Sequence, residues 1–351
     1  MIKKRVLVAM SGGVDSSVAA YLLIKAGYDV IGATINFWKD DGRCCSIEDT
    51  RKIAQKLSIP FYTFNFKEEF EREIINYFCD EYANGRTPNP CIICNEKIKF
   101  GVFLEKAKKL NASFIATGHY ARVDYNFDVK RYQLKKGQDK EKDQSYFLFS
   151  LSQYQLSHTI FPLSSLTKKK VRKIAKELGL PIYKKDESQE ICFISRSNYN
   201  EFLREKRPDS FNPGPILTTN GKVIGQHRGI PFFTIGQRKG LGGGRKNPVY
   251  VLKIDKKKNA IVVGEKEKTY ARGMQVSKVN WVSIPEPTAP ILCKVKIRSQ
   301  HQEASATVYP LNNKKCKVIF SQPQWAITPG QAAVFYREDT VLGGGWIEEV
   351  A

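Results

Sequence analysis

The segment GRTPNPCIICNEKIKF, Gly85 to Phe100, carries two cysteines, Cys91 and Cys94, with two residues between them. Thiols at that spacing serve a zinc site, a reducible pair, an iron–sulfur ligand set, or a nucleophile with a helper. Structural zinc asks for a fourth protein ligand, and neither a second CxxC nor a neighbouring histidine pair occurs in the sequence. The thiolate is the reactive form, and Lys97 and Lys99 are near enough in sequence to lower a thiol's pKa. A third cysteine, Cys192 in SQEICFI, follows Lys184 and Lys185 and offers the same chemistry. Cys44 and Cys45 are adjacent, awkward geometry for a shared metal, while Cys79, Cys293 and Cys316 read as buried helix or strand residues.

A second chemistry-bearing stretch is AMSGGVDSS, Ala9 to Ser17, where a short apolar run gives way to two glycines, three serines and a helical pattern. This composition makes a phosphate cradle. Glycines let the backbone approach an anion, while free N–H groups at a helix start and the hydroxyls of Ser11, Ser16 and Ser17 donate to it. The GK[ST] ending of a Walker loop is absent, so no lysine comes with it, and GxGxxG is absent too. An aspartate among phosphates repels them unless a cation intervenes, so Asp15 implies Mg²⁺. GLGGG at Gly240 to Gly244 and GGG at Gly343 to Gly345 lack a strand-to-helix context and read as turns of β structure.

These residues need a frame. Strands are expected over Arg5 to Met10, Tyr28 to Ile35, Pro60 to Phe66 and Phe114 to Thr117. Helices are expected from about Asp15 to a stop at Gly27, burying Val18, Tyr21 and Leu22, from a Ser46/Asp49 capping box to Leu57, over Lys67 to Asn84, and over Glu96 to Leu110. Alternation of this kind implies an α/β fold with a doubly wound, mostly parallel sheet. Such sheets bind ligands beyond the carboxyl ends of their strands, so the Ser11 loop, Ile35 with Asn36, and Gly118 with His119 should meet in one crevice. TKKKVRKIAKEL, Thr167 to Leu178, reads as a threonine-capped helix stopped by Gly179. RPDSFNPGP, Arg207 to Pro215, is rich in turn formers and marks a boundary. Beyond it the pattern is short alternating runs, with Asn220-Gly221 a hairpin signal, so two small all-β units are expected, the last a barrel. The expected division is 1–212, 213–271 and 272–351.

In the 351-residue sequence, 42% hydrophobic and 26% charged residues are ordinary globular usage, which excludes a disordered chain. Lys and Arg number 57 against 35 Asp and Glu, a net charge of +22 that draws polyanions, nucleic acid foremost. The apolar run near the N-terminus is too short for a secretion signal and no run is long enough for a membrane helix. A cytoplasmic protein with reduced thiols is expected.

Four further stretches, ATGHYAR at Ala116 to Arg122, KDQSYFL at Lys142 to Leu148, FTIGQRKGLG at Phe233 to Gly242 and PGQ at Pro329 to Gln331, complete a pattern. With SGGVDSS, GRTPNPCIICNEKIKF and SQEICFI, they make the chain resemble the tRNA-specific 2-thiouridylases of the ATP pyrophosphatase superfamily. The resemblance implies a sulfurtransferase that adenylates the C2 oxygen of the wobble uridine in glutamate, glutamine and lysine tRNAs and then replaces it with sulfur, releasing AMP and pyrophosphate. It implies ATP contacts at Ala9, Met10, Ser11, Gly12, Gly13, Val14, Asp15, Ser16, Ile35 and Gly118. It implies a nucleophile at Cys94, a persulfide carrier at Cys192, and target-base contacts at Asn89, Pro90 and Cys91. Other tRNA contacts fall on His119, Lys142, Asp143, Gln144, Arg298, Ser299 and Gln331. A cysteine desulfurase or sulfur-relay protein is the implied donor. Where most of the family has an aspartate, this chain has Cys91, so that Cys91, Cys94 and Cys192 also offer three ligands to a [4Fe–4S] cluster with one open iron. A persulfide relay with Cys91 as bystander stands beside that reading, as does an adenylating ligase acting on a small molecule.

Overall fold

A computed structural model describes residues 3–37, 47–184, 191–194, 199–241 and 247–351. Cys44, Cys45, Ser46, Lys185 and Gly242 to Gly244 lie outside these residues, as does the side chain of Lys184.

The first half opens β1 (Arg5–Ala9), α1 (Val14–Lys25), β2 (Asp29–Asn36), α2 (Ile47–Lys56) and β3 (Phe61–Asn65). There follow α3 (Lys67–Phe70) and α4 (Asn76–Ala83), joined by a π-helical turn at Glu71–Ile75, and then α5 (Pro90–Ile93), a π-helical segment Cys94–Val102 and α6 (Phe103–Lys109). Next come β4 (Phe114–Ala116), β5 (Ala121–Asn126), β6 (Arg131–Lys136), α7 (Gln153–Ser157), β7 (Thr159–Ile160), α8 (Lys168–Glu177) and α9 (Tyr199–Lys206). Five strands form a parallel sheet in the order β3-β2-β1-β4-β7. Val6, Leu7 and Val8 of the central β1 are fully buried, because helices cover both faces of such a sheet and an unbroken apolar run suits it. The chain leaves β1 toward β2 on one side and β4 lies on the other, which puts a crevice at the carboxyl end of β1. Helix α1 buries Val18, Ala19, Ala20 and Leu23, whereas Tyr21 and Leu22, expected inside, are only half-buried.

The second half is all β. Strands β8 (Gly214–Thr218), β9 (Val223–His227), β10 (Tyr250–Asp255) and β11 (Ala260–Gly264) form one small sheet, with Gly221 in the left-handed region at the β8–β9 turn. Strands β12 (Tyr270–Asn280), β13 (Ile291–Lys296), β14 (Ala304–Leu311), β15 (Lys315–Trp325), β16 (Ala332–Arg337) and β17 (Thr340–Val350) follow. They close into an antiparallel barrel through the β12–β17 pairing. Gly343, Gly344 and Gly345 are not a turn, as the sequence predicted, but the middle of β17. A Cβ there would stand 2.5 Å from the Asn280 carbonyl, 2.7 Å from that of Ala333 and 2.5 Å from that of Ser277, so neighbouring backbone forbids a side chain. The β5–β6 hairpin, which the sequence reading missed, leaves the first half and joins the barrel sheet beside β17. Its core is shared: Leu134 and Phe149 cluster with Val282, Val334, Tyr336 and Val341. Among the described residues no helix is long and apolar enough to cross a membrane.

Candidate functional site

The loop after β1 is laced by its own serines. Ser16 Oγ accepts from the Ser11 N–H at 3.1 Å and donates to the Gly13 carbonyl at 3.2 Å, and Ser17 Oγ donates to the same carbonyl at 2.8 Å. Gly12 turns the chain at φ +69°, which a side chain would strain. Gly13 precedes α1 with no side-chain cap on the helix, so first-turn N–H groups face the loop for an anion to use. A crevice of about 210 Å³ opens here, lined by Ala9, Met10, Ser11, Asp15, Ser16, Ile35 and Gly118 from the sequence expectations. Gly12 and Gly13 belong to the turn and Val14 opens α1, so these three are not part of the lining. His119 and Gln144, expected on tRNA, line this crevice as well, together with Lys99 and Thr117. Gly118 lies against α1 so closely that a Cβ would be 2.7 Å from the Ser16 nitrogen. A larger cavity, about 860 Å³, lies at the opposite end of the sheet among Lys4, Arg5, Tyr28 and Asn111, where ligands of open α/β sheets do not bind.

The Asp15 carboxylate is held from two sides. Tyr120 Oη donates to Oδ1 at 2.7 Å, and Lys168 Nζ donates to both oxygens at 2.8 and 2.7 Å. His119 packs against Phe100 and Phe161, with Nδ1 2.6 Å from Thr117 Oγ1. Burial, reinforced by the Lys99 ammonium, holds its pKa well below the ordinary histidine value, so the ring is neutral.

The cysteines sit on a helix that starts earlier than the sequence suggested, at Pro90 instead of Glu96, because Pro90 takes the first helical position, where no N–H is needed. Cys91 lies on α5, and Cys94 opens the π-helical segment. Wider turns leave carbonyls short of partners. Gln155 supplies them: its Nε2 donates to the carbonyls of Glu96 and Phe100, both at 2.9 Å, while its Oε1 accepts the Ser152 N–H of the α7 capping box at 2.8 Å. Cys94 is 8% exposed, whereas Cys91 and Cys192 reach solvent. Burial pushes the Cys94 thiol up to about 12 against the opposing Lys99 ammonium, with Cys192 and Cys91 adding to the rise. Burial of its sulfur raises Cys91 as well, although the residue as a whole is exposed; Lys99 opposes and Cys192 adds. All three thiols therefore feel one another. Phe193, next to Cys192, anchors that segment on Phe70, Phe78 and Phe202 at centroid distances of 5.6, 5.3 and 5.7 Å. Among the described residues no group of three or more His, Cys, Asp or Glu side chains is placed to hold a metal ion. Cys79 and Cys316 are buried and Cys293 is half-buried.

The segment before Cys91 is gripped by the barrel. The Thr87 N–H donates to the Pro329 carbonyl at 2.9 Å, and Arg86 bridges Glu81 at 2.8 Å and Glu348 at 2.7 Å. Gln331, expected on tRNA, donates through Nε2 to the carbonyls of Thr87 and Pro88. Asn89 and Pro90 are buried behind this grip. Asp143 is engaged internally, accepting from the N–H groups of Gly137 and Ser145 and from the Ser145 hydroxyl. Gln144 accepts the Tyr120 N–H, and its own N–H donates to the Tyr120 carbonyl. Lys142 and Ser299 are half-buried. Arg298 lies over the Trp325 ring at 5.2 Å and donates to the Trp325 carbonyl at 3.3 Å. Tyr120 and Lys168 are the residues that sequence reasoning missed. The first sits inside ATGHYAR and had a signal; the second is one lysine of a run that reads as a solvated face.

Three family models match in order: a tRNA methyl transferase HUP domain over residues 4–196, a tRNA methyl transferase PRC-barrel domain over 200–265, and an aminomethyltransferase beta-barrel domain over 271–347. A protein of Symbiobacterium thermophilum named tRNA-specific 2-thiouridylase MnmA is 51% identical, with 99% of this chain and 93% of that protein covered. Proteins of the same name from Halothermothrix orenii and Acetivibrio thermocellus are 50% and 47% identical, covering 98% and 99% of this chain and 99% and 100% of theirs.

Proposed function

The chain belongs to the tRNA-specific 2-thiouridylase family, and from that premise we propose how this ATP-using sulfurtransferase modifies tRNA. The C2 oxygen of the wobble uridine attacks the α-phosphate of ATP seated in the crevice beyond β1, and pyrophosphate leaves with the electron pair of the Pα–O bond. The adenylated oxygen is then a good leaving group. The terminal sulfur of a persulfide on Cys192 attacks C2, and AMP departs. Cys94 attacks the Cys192 sulfur, which releases 2-thiouridine and leaves a Cys94–Cys192 disulfide for an external dithiol to reduce.

The observation that carries this division of labour is exposure. Cys192 is exposed and can meet a donor protein, a cysteine desulfurase or relay protein, whereas buried Cys94 is shielded from donors and acts within the site. Its high pKa keeps the free thiol neutral, and Lys99 beside it favours the thiolate once the site is engaged. Neutral His119, fixed by Thr117, offers an uncharged hydrogen bond beside the reacting base. The unit 1–212 carries ATP and cysteines, while 213–271 and 272–351 shape the segment before Cys91; Thr87 touches Thr234 of the first and Gln331 of the second. Wobble uridines of glutamate, glutamine and lysine tRNAs are the proposed acceptors. Asn89, Pro90, Cys91, His119, Lys142, Asp143, Gln144, Arg298, Ser299 and Gln331 remain the proposed tRNA contacts.

A [4Fe–4S] cluster is the second reading: Cys91, Cys94 and Cys192, which feel one another, are the thiols that would hold it, and an open iron would carry the sulfur. Asp15, whose oxygens hold Lys168 here, is the residue that would hold an Mg²⁺, and the ion would screen the charge of the ATP phosphates.

The test is pyrophosphate release in the presence and absence of tRNA, with Cys94→Ser and Cys192→Ser assayed for thiolation. Release that requires tRNA, together with loss of thiolation in both variants, is expected. Thiolation surviving both substitutions sinks the relay, and an enzyme that loses activity together with tightly bound iron would establish the cluster instead.

A further inference from the structure

Cations gathered without a counter-charge mark a place where an anion belongs, since a charge taken partly out of water is unfavourable until a partner joins it. One such place lies at the end of β13, outside the nucleotide crevice. Lys296 closes that strand and Arg298 follows two residues later, while Val295 and Ile297, which alternate with them, are buried in the barrel core, so both cations stand on its outer face. The Lys296 ammonium lies over the Tyr146 ring at 5.9 Å, and among the described residues no hydrogen bond or ion pair reaches it. Its acidic neighbours are engaged elsewhere: Asp143 accepts from Gly137 and Ser145, and Glu303 pairs with Lys136 at 2.6 Å. Burial lowers the pKa of Lys296, against the pull of those two carboxylates, and lowers that of Arg298 as well. Arg298 makes a single hydrogen bond, to the Trp325 carbonyl, and beside it Trp325 Nε1 and His301 Nδ1 are cut off from water with no partner. The polar set at this rim is unfinished.

We propose that Lys296 joins Arg298 in a clamp for one phosphodiester of the tRNA backbone, close to the nucleotide being modified. Tyr146 gives the location. Its ring meets the Lys296 ammonium, its hydroxyl donates to the Ala332 carbonyl at 3.0 Å, and it also interacts with the side chain of Asn89. The residue before Ala332 is Gln331, whose amide holds the Thr87 and Pro88 carbonyls ahead of Cys91. A phosphate at the clamp therefore rests on the same support that sets the backbone leading to the cysteines. A uridine taken out of its stack needs its backbone held, because phosphate contacts are what fix register and orientation. The guanidinium fork of Arg298 matches a phosphate, and the net charge of +22 draws a polyanion rather than a lone carboxylate. This rests on the tRNA-thiolation reading given above, to whose expected contacts Arg298 already belongs; Lys296 is the addition.

The experiment measures binding of an unmodified glutamate tRNA transcript, and of its isolated anticodon stem-loop, to the full chain and to Lys296→Gln and Lys296→Arg across a series of salt concentrations. Lys296→Gln should weaken both RNAs by about tenfold at low salt. It should also flatten the slope of log K against log salt by about 0.7 to 0.9, the share of one phosphate contact. Lys296→Arg should keep most of the slope, and ATP affinity should be the same in all three proteins. An unchanged slope in folded Lys296→Gln overturns the proposal, because a lysine that only packs on Tyr146 changes affinity without changing the number of counterions released. A loss seen with the whole tRNA and not with the stem-loop overturns the placement near the target base, and a parallel fall in ATP affinity overturns the assignment to RNA. Should Lys296→Gln not fold, Lys296→Met keeps an unbranched stem over the ring and removes the charge, and the same slope decides. Failure of the thiolation reading looks different: the tRNA would bind with a Lys296-dependent slope yet gain no sulfur on incubation with ATP and a sulfur donor.

Discussion

The side-chain amide of Gln331, between β15 and β16 of the barrel, donates to the carbonyls of both Thr87 and Pro88, each at 3.1 Å, three to four residues before Cys91. A residue of the last unit thus sets the backbone that leads to Cys91 and Cys94 of the first.

Gln331→Ala should therefore lower the rate of thiolation more than the affinity for ATP. Each lost hydrogen bond contributes about 1 kcal/mol, so a fall of roughly tenfold in kcat is expected. Single-turnover thiolation beside ATP titration checks it, and parallel losses in both would show that the crevice, and not the Thr87 segment, was disturbed.

Alkylation should separate the cysteines. Exposed Cys192 should react with iodoacetamide well before Cys94, which is buried and held toward the neutral thiol at about 12. Mass spectrometry of time points at neutral pH reads the order. Raising the pH should narrow the gap, since more of Cys94 becomes thiolate, and a gap that widens would contradict the burial argument.

Gln155→Leu removes the donor shared by the Glu96 and Phe100 carbonyls and should destabilise the chain by about 2–4 kcal/mol. Urea unfolding measures this. The loss should come with faster Cys94 alkylation, because the same carbonyls set the wide turns that begin at that residue.

Acid should weaken the fold through its buried histidines. Burial lowers the pKa of His119, His227 and His301, the last to about 4, below the ordinary value near 6.5. The unfolded chain therefore takes up protons that the folded chain refuses. Their contribution to stability is full above about pH 6.5 and declines as pH falls toward the folded values. Unfolding free energy followed from pH 7.5 to 5 should drop, and His119→Gln should make the drop shallower.

Much of this site was legible in sequence because its pieces follow strand ends. The serines of Ser11 to Ser17, Ile35 and Gly118 converge as an open parallel sheet requires. What was hidden depended on pairings between distant segments. No periodicity around Lys168 distinguishes it from Lys169 or Lys170, since its role is written in Asp15 and Tyr120. The start of α5 was missed because the two prolines around Asn89 read as a loop, whereas Pro90 in fact opens the helix. Sequence does not show that Gly137 and Ser145 fold around Asp143, because neither residue's conformation is written in its neighbours. The glycines of β17 looked like a turn for the same reason, as only the closed barrel reveals how tightly its backbones pass.

The hairpin that crosses from the first half into the barrel sheet has a further consequence. Leu134 on β6 donates its N–H to the Ser283 hydroxyl, and the Arg131 guanidinium donates to the Trp281 carbonyl, so bonds between main chain and side chain join the β6–β17 pairing in splicing the two halves together. Each half covers apolar surface that the other would otherwise leave bare. Neither can be exchanged for an unrelated module without re-sculpting its neighbour.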